Sequence, residues 1–265
     1  MEKVADLAAD VHQKGVRLML FPEAFLSAYP RGLGFGAVVG SRSPEGREQF
    51  RRYWDSAIDV PGPHFDQLAK IARVNQTHLV IGAMERDGGT LYCTQLFFGP
   101  DRRYLGKHRK LVPTASEGVE IYCAPTADGR ETWLSTVRHI AQEGRCFVLS
   151  CNQFARRSDY PVDYPTEFGD EPDKILSRGG SCIIGPLGQI LAGPNYDGEA
   201  ILTADINLDE ITRARLDFDA VGHYARNDVL QLIVDETGRS SLSFRNATPQ
   251  DHLPPIPTEN SAKSK

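Results

Sequence analysis

The sequence predicts a mixed α/β fold in which helices cover sheets in layers, and three observations predict it. Apolar residues at helical spacing alternate with short apolar runs of strand length. Turn signals such as Asp87-Gly88-Gly89 and Gly185-Pro186-Leu187-Gly188 are more frequent than a doubly wound parallel sheet would need. With 265 residues and no internal repeat, the chain is long enough for one large domain with a sizeable core.

The elements follow in order. Val4, Leu7, Ala8 and Val11 predict a helix over 3–14, stopped by Gly15. Arg17-Leu18-Met19-Leu20-Phe21, ended by Pro22, reads as a buried strand. A polar helix is expected over 44–58, and an amphipathic helix carrying Phe65, Leu68, Ile71 and Ala72 after Pro61-Gly62-Pro63. Residues 79–84 form the next buried strand, then a hairpin to 91–98 and a turn before Tyr104-Leu105-Gly106, giving a meander. A strand at 119–123, a helix over 130–143 and a strand at 146–151 resume the alternation. Residues 160–174, rich in Pro, Asp and Tyr, read as a surface loop; 181–192 is a hairpin, 200–206 one more strand and 209–216 a short helix. A single domain over 1–235 and a mobile Ser-, Pro-, Asn- and Lys-rich tail over 236–265 complete the plan.

Thirty Lys and Arg against 35 Asp and Glu leave a net charge of −5, so no global positive field gathers nucleic acid or anionic lipid. No signal-peptide profile and no apolar run of membrane length occur, so a cytoplasmic chain with no membrane partner is expected. Five cysteines (Cys93, Cys123, Cys146, Cys151 and Cys182), without a CxxC pair, favour neither a disulfide framework nor a metal site. Neither a GxGxxG fingerprint nor a Walker A motif is present, so nucleotide binding is not favoured.

Glu23 follows a buried strand through Pro22, which sets a carboxylate at the carboxyl end of that strand, where sites in α/β sheets concentrate. Lys110 ends the run Gly106-Lys107-His108-Arg109-Lys110, and Glu117 follows seven residues later. Each alone reads equally as a solvated charge. Asn152 and Gln153 end a buried strand, where polar side chains either line a site mouth or terminate the strand. His139, on a helix face without a cysteine partner, receives no catalytic role.

Read together, Phe21-Pro22-Glu23-Ala24-Phe25, the stretch from Gly106 to Thr114 (Gly106-Lys107-His108-Arg109-Lys110-Leu111-Val112-Pro113-Thr114) and Ala124-Pro125-Thr126-Ala127-Asp128 resemble the nitrilase superfamily of carbon–nitrogen hydrolases. The resemblance runs from about residue 4 to about residue 234. Tyr29-Pro30-Arg31-Gly32 and Asn195-Tyr196-Asp197-Gly198 are similar to nitrilases rather than amidases, nearest the plant β-cyanoalanine hydratase/nitrilase branch. The resemblance implies a four-layer αββα sandwich, assembly into homo-oligomers, a small-molecule nitrile substrate, and a Glu, Lys and Cys triad without metal or organic cofactor. Glu23 then matches the general base, Lys110 the catalytic lysine and Glu117 a supporting carboxylate. In such a site the base takes the thiol proton, the thiolate attacks the nitrile carbon, and the lysine stabilises the tetrahedral species. Water releases ammonia and an acid; early expulsion of the thiolate releases an amide.

One departure dominates. The family places its cysteine before Trp-Glu on a strand-to-helix turn, and no cysteine here precedes Trp-Glu. Thr114-Ala115-Ser116-Glu117 runs straight into Gly118-Val119-Glu120, where the family interposes roughly forty residues carrying the nucleophile strand, elbow and helix. The start is also short of one family strand. Cys123, Cys146 and Cys151 are expected in core positions and Cys93 and Cys182 in hairpin strands, so none is expected to replace the nucleophile. The chain is therefore expected to be a nitrile-hydrolysing lineage member that is inactive as written. The alternatives are a non-catalytic subunit that joins full-length homologues, and an amidase-type hydrolase.

Overall fold

The computed structural model describes residues 1–38, 41–87, 90–109, 119–164 and 167–218. Helix α1 (Glu2–Gln13) buries Val4, Ala8 and Val11 on one stripe, and the chain leaves it through Gly15 at φ 69°. Strand β1 (Leu18–Leu20) follows, then the short pair β2 (Ala37–Val38) and β3 (Ser41–Arg42). In helix α2 (Pro44–Ser56), Ser43 caps the first turn by accepting from the Gly46 N–H at 3.0 Å. Strand β4 (Ile58–Asp59), helix α3 (Pro63–Val74) and strands β5 (His78–Asp87), β6 (Thr90–Phe98) and β7 (Tyr104–Arg109) complete the first half.

The first sheet has the order β1-β5-β6-β7. β1 runs parallel to β5, and β4 pairs with the same strand further along, at Glu85 and Arg86. The expected meander is present: β5 and β6 pair antiparallel from Leu79↔Phe98 to Asp87↔Thr90, and β7 adds to β6. Strand alternation turns Leu79, Ile81, Ala83, Leu96 and Phe98 to one face, where they form a core with α1 and α3 residues such as Val4, Ala8, Leu68 and Ala72. The opposite face is the one that meets Glu23.

The second half contains β8 (Ile121–Thr126), α4 (Thr132–Gly144), β9 (Phe147–Asn152), β10 (Phe154–Arg156), β11 (Ile175–Arg178), β12 (Ser181–Ile184), β13 (Ile190–Asn195) and α5 (Asp209–Arg215). Its sheet has the order β13-β12-β9-β8, with β8 and β9 parallel. Val137 and Ala141 of α4 pack with Ala124, Val148, Cys182 and Ile184 into a second core. Helix, sheet, sheet and helix therefore form the αββα layers, and the described residues fall within one compact unit, Met1–Ala225.

Four expectations need correction. The polar helix stops at Ser56, because Ile58 is drawn into the ladder of β5 and buried at 3% exposure. Residues 200–206 form no strand; Ile201 instead packs against the first core. The loop 160–174 is framed by an unexpected hairpin, β10 with β11, whose strands are too short and too polar to show a period. Its anchor is the buried Arg157, which donates to the carbonyl oxygens of Tyr160, Pro161, Val162 and Tyr164 at 2.9–3.4 Å. Of the cysteines expected in the core, Cys146 is buried, but Cys123 and Cys151 are only partly covered; Cys182, expected in a hairpin strand, lies on β12 and is buried as well. The expected tail over 236–265, and the domain limit at 235, lie outside the described residues.

Candidate active site

Glu23 leaves β1 through Phe21 and Pro22, and the Phe21 N–H donates to Val80 O at 2.9 Å, so the end of β1 stays tied to β5. The backbone then turns through Ala24 at φ 48°, a left-handed conformation that costs energy for a residue with a Cβ. Gly82 makes room for the turn. A Cβ on Gly82 would stand 2.4 Å from Pro22 O and 2.7 Å from Glu23 Cα, so only glycine lets the chain lie on the strand here. The Leu26 N–H then donates to Gly82 O at 3.1 Å, and the Met84 N–H to Leu26 O at 3.3 Å, re-anchoring the chain beyond the turn.

The result is a buried carboxylate: Glu23 is 8% exposed. The Cys93 thiol, on β6, donates to Glu23 Oε1 at 3.4 Å. This neighbour was not legible in the sequence, where Cys93 is one residue of an ordinary hairpin strand. In register Cys93 opposes Met84 and Gln95 opposes Gly82, so thiol and amide share the face that Glu23 covers. Gln95 Nε2 is buried without a hydrogen-bond partner among the described residues, a free donor beside the carboxylate's own segment. Burial pushes the Tyr53 phenol well above its ordinary range, and Cys93, Tyr29, Tyr164 and Glu23 nearby add to the rise.

The second sheet reaches the same place. Gln153, just past β9, donates from Nε2 to Glu23 O at 2.9 Å, and Ser177 Oγ donates to Gln153 O at 2.7 Å. Asn152 Nδ2 bridges Asp128 O and Gly179 O at 3.1 and 2.7 Å. These two residues are thus structural ties at the site wall. Tyr164 Oη donates to Arg31 O at 2.8 Å, and Arg31 Nη2 donates to Ala127 O, which stitches the loop after β1 to both the 160–164 segment and the end of β8. The carboxyl ends of the parallel strands β1, β8 and β9 therefore converge, the arrangement in which α/β sheets build sites.

Of the sequence-derived site residues, Glu23 lies at this convergence; Lys110 and Glu117 lie outside the described residues. The neighbouring cations Lys107 and Arg109 serve another purpose. Both reach Glu85, on the helix-covered face, with Arg109 Nη2 at 2.8 Å and Thr94 Oγ1 donating at 2.8 Å. Burial raises the Glu85 carboxyl, but the hydrogen bonds from Arg109, Lys107 and Thr94 overcome it and hold the group at about 2. His139 pairs with Glu143 on the exposed face of α4, away from any site. No group of three or more His, Cys, Asp or Glu suited to a metal ion occurs among the described residues.

This layering of two sheets between helices is the fold of solved carbon-nitrogen hydrolases. The sequence profile of that family, described as carbon-nitrogen hydrolase, matches residues 1–114 and 111–216, and the chain belongs to it. It is 46% identical over 295 residues to a bifunctional nitrilase/nitrile hydratase of Lupinus angustifolius, covering 94% of this chain and 84% of that protein. It is also 46% identical over 288 residues to a nitrilase of Bradyrhizobium diazoefficiens, covering 93% and 90%. In structure it resembles a carbon-nitrogen hydrolase of Helicobacter pylori with a TM-score of 0.57 at 18% identity, over 87% of this chain and 92% of that one. The C. elegans NitFhit protein superposes with a TM-score of 0.62 at 14% identity, over 91% and 64%.

Proposed function

We propose that this chain derives from nitrilases that convert nitriles, β-cyanoalanine foremost, to an acid and ammonia or to an amide, and that it has no turnover of its own. In this reading Glu23 is the retained general base, with Lys110 as the charge-stabilising lysine and Glu117 as its support. The observation that carries the inactivity is the absence of any cysteine before Trp-Glu in the sequence. Covalent addition to a nitrile needs a soft nucleophile, and a carboxylate with an ammonium does not supply one. The family profile supports a missing segment, since it matches in two blocks that meet at residues 111–114. So does the alignment with the lupin protein: it runs over 295 residues but takes in 94% of this chain, about 249 residues, leaving about 46 positions of the relative unmatched. An alternative transcript and an imperfect gene model would both produce such a chain.

The direct test is ammonia release from β-cyanoalanine by the purified chain. Background rates are expected; sustained turnover would overturn the reading. A second reading, a non-catalytic subunit of cytoplasmic oligomers with intact homologues, is favoured by the sheet margins. β8 is paired on one side only among the described residues, and the outer strands β7 and β13 expose Leu105, Ile190 and Leu191. Co-purification of the chain with an intact homologue, and a changed rate in the mixture, would favour it. The amidase alternative is weakened by Tyr29-Pro30-Arg31-Gly32; hydrolysis of a simple amide but not of a nitrile would restore it.

A further inference from the structure

A cavity of about 410 Å³ lies between the loop after β8 and strand β11. Three guanidinium groups line it, those of Arg31, Arg130 and Arg178, against the single carboxylate of Asp128. Asp128 is already engaged. It accepts from the Arg130 backbone N–H at 2.9 Å and from Arg130 Nε and Nη2 at 2.9 and 2.5 Å. These bonds, with a weaker electrostatic pull from Arg31, hold its carboxyl below the usual range, so the acid is ionised and accepts its side-chain hydrogen bonds from one of the three cations.

The other two have no carboxylate within ion-pair distance among the described residues. The Arg178 guanidinium lies over the Tyr196 ring, 4.3 Å from its centroid, a contact that orients the group without neutralising it. Arg31 donates from Nη2 to Ala127 O, and its Nε is buried with no acceptor among the described residues. Two arginines without a carboxylate partner on the wall of one open pocket favour an anionic acceptor. Ala127, Ile175 and Leu176 supply apolar wall, and the volume falls in the range of small-molecule sites.

We propose that this cavity binds a small organic dicarboxylate, held by Arg31 and Arg178 through charge-assisted hydrogen bonds. Planar guanidiniums match carboxylates two donors at a time, and a short apolar spacer between the acids suits the Ile175-Leu176 wall. Neither Arg31 nor Arg178 has a role in the proposed nitrile chemistry, so this binding does not depend on the missing nucleophile.

The test is isothermal titration calorimetry of the full chain with succinate, with the uncharged isostere succinamide and with inorganic phosphate, at low and at high salt. Saturable succinate binding that weakens at least tenfold in Arg178→Gln and partly recovers in Arg178→Lys is the expected result, with succinamide silent. Arg51→Gln, on exposed α2, keeps the binding and controls for non-specific charge loss, while circular dichroism establishes that each variant is folded. No saturable heat from folded parent protein overturns the proposal. So does equal binding by parent and folded Arg178→Gln, or phosphate binding as tight as succinate.

Discussion

Cys93 Sγ and Glu23 Oε1 lie 3.4 Å apart across seventy residues of sequence, a thiol on a central strand donating to a buried acid. The pair places one soft nucleophile against the buried carboxylate. It sits within regular strand, however, and not on the strand-to-helix turn that exposes a nucleophile to substrate. Ammonia release by Cys93→Ala is therefore expected to equal the parent's background. A parent rate that this substitution abolishes would identify Cys93 as a replacement nucleophile and end the inactivity reading.

Gly82→Ala is expected to destabilise the protein by roughly 1–3 kcal/mol, because the new methyl meets backbone at Pro22 and Glu23 rather than a flexible side chain. For a domain of this size that is a fall in Tm of about 2–10 °C, read by calorimetry. An unchanged Tm would mean that the turn through Ala24 has another seat.

Glu85 supplies a pH dependence. Its folded-state pKa of about 2 lies below the ordinary 4.5, so its contribution is present above pH 4.5 and is lost as pH falls toward 2. Glu85→Gln strands Lys107 and leaves Arg109 to Asp87, each cation about 30% exposed and hence partly screened, at a cost of about 1–3 kcal/mol near neutral pH. Urea midpoints measured from pH 6 to pH 2 should converge for parent and variant at the acid end. Parallel curves would remove Glu85 from the titration.

Arg157→Met is expected to release residues 160–164, whose carbonyls have their shared donor in that guanidinium. Limited proteolysis should then cut within 160–174 under conditions that leave the parent whole. Resistance equal to the parent's would show that the β10–β11 hairpin alone holds the segment.

Burial pushes the thiols of Cys123, Cys146 and Cys182 up to about 11 and that of Cys151 to about 12. At pH 8 about one in a thousand or fewer of these groups is thiolate, so a disulfide reagent should label them slowly until the chain is unfolded. Rapid native labelling at Cys123 would contradict the raised thiol.

The long strands and the amphipathic helices were legible because each carries its own period: β5 in its apolar run and α3 in Phe65, Leu68, Ile71 and Ala72. Glu23 was legible through the Pro22 that ends its strand. What escaped is what depends on partners far along the chain. The β10–β11 hairpin has too few residues to show alternation, and the apolar stretch around Ile201 reads as a strand until its side chain is seen packing on another element's core. The Cys93–Glu23 contact depends on Gly82 admitting the turn, a condition that no local pattern announces.

The two apolar cores share no residue: one belongs to α1, α3 and the first sheet, the other to α4 and the second. Each half of the sandwich thus carries its own adhesive.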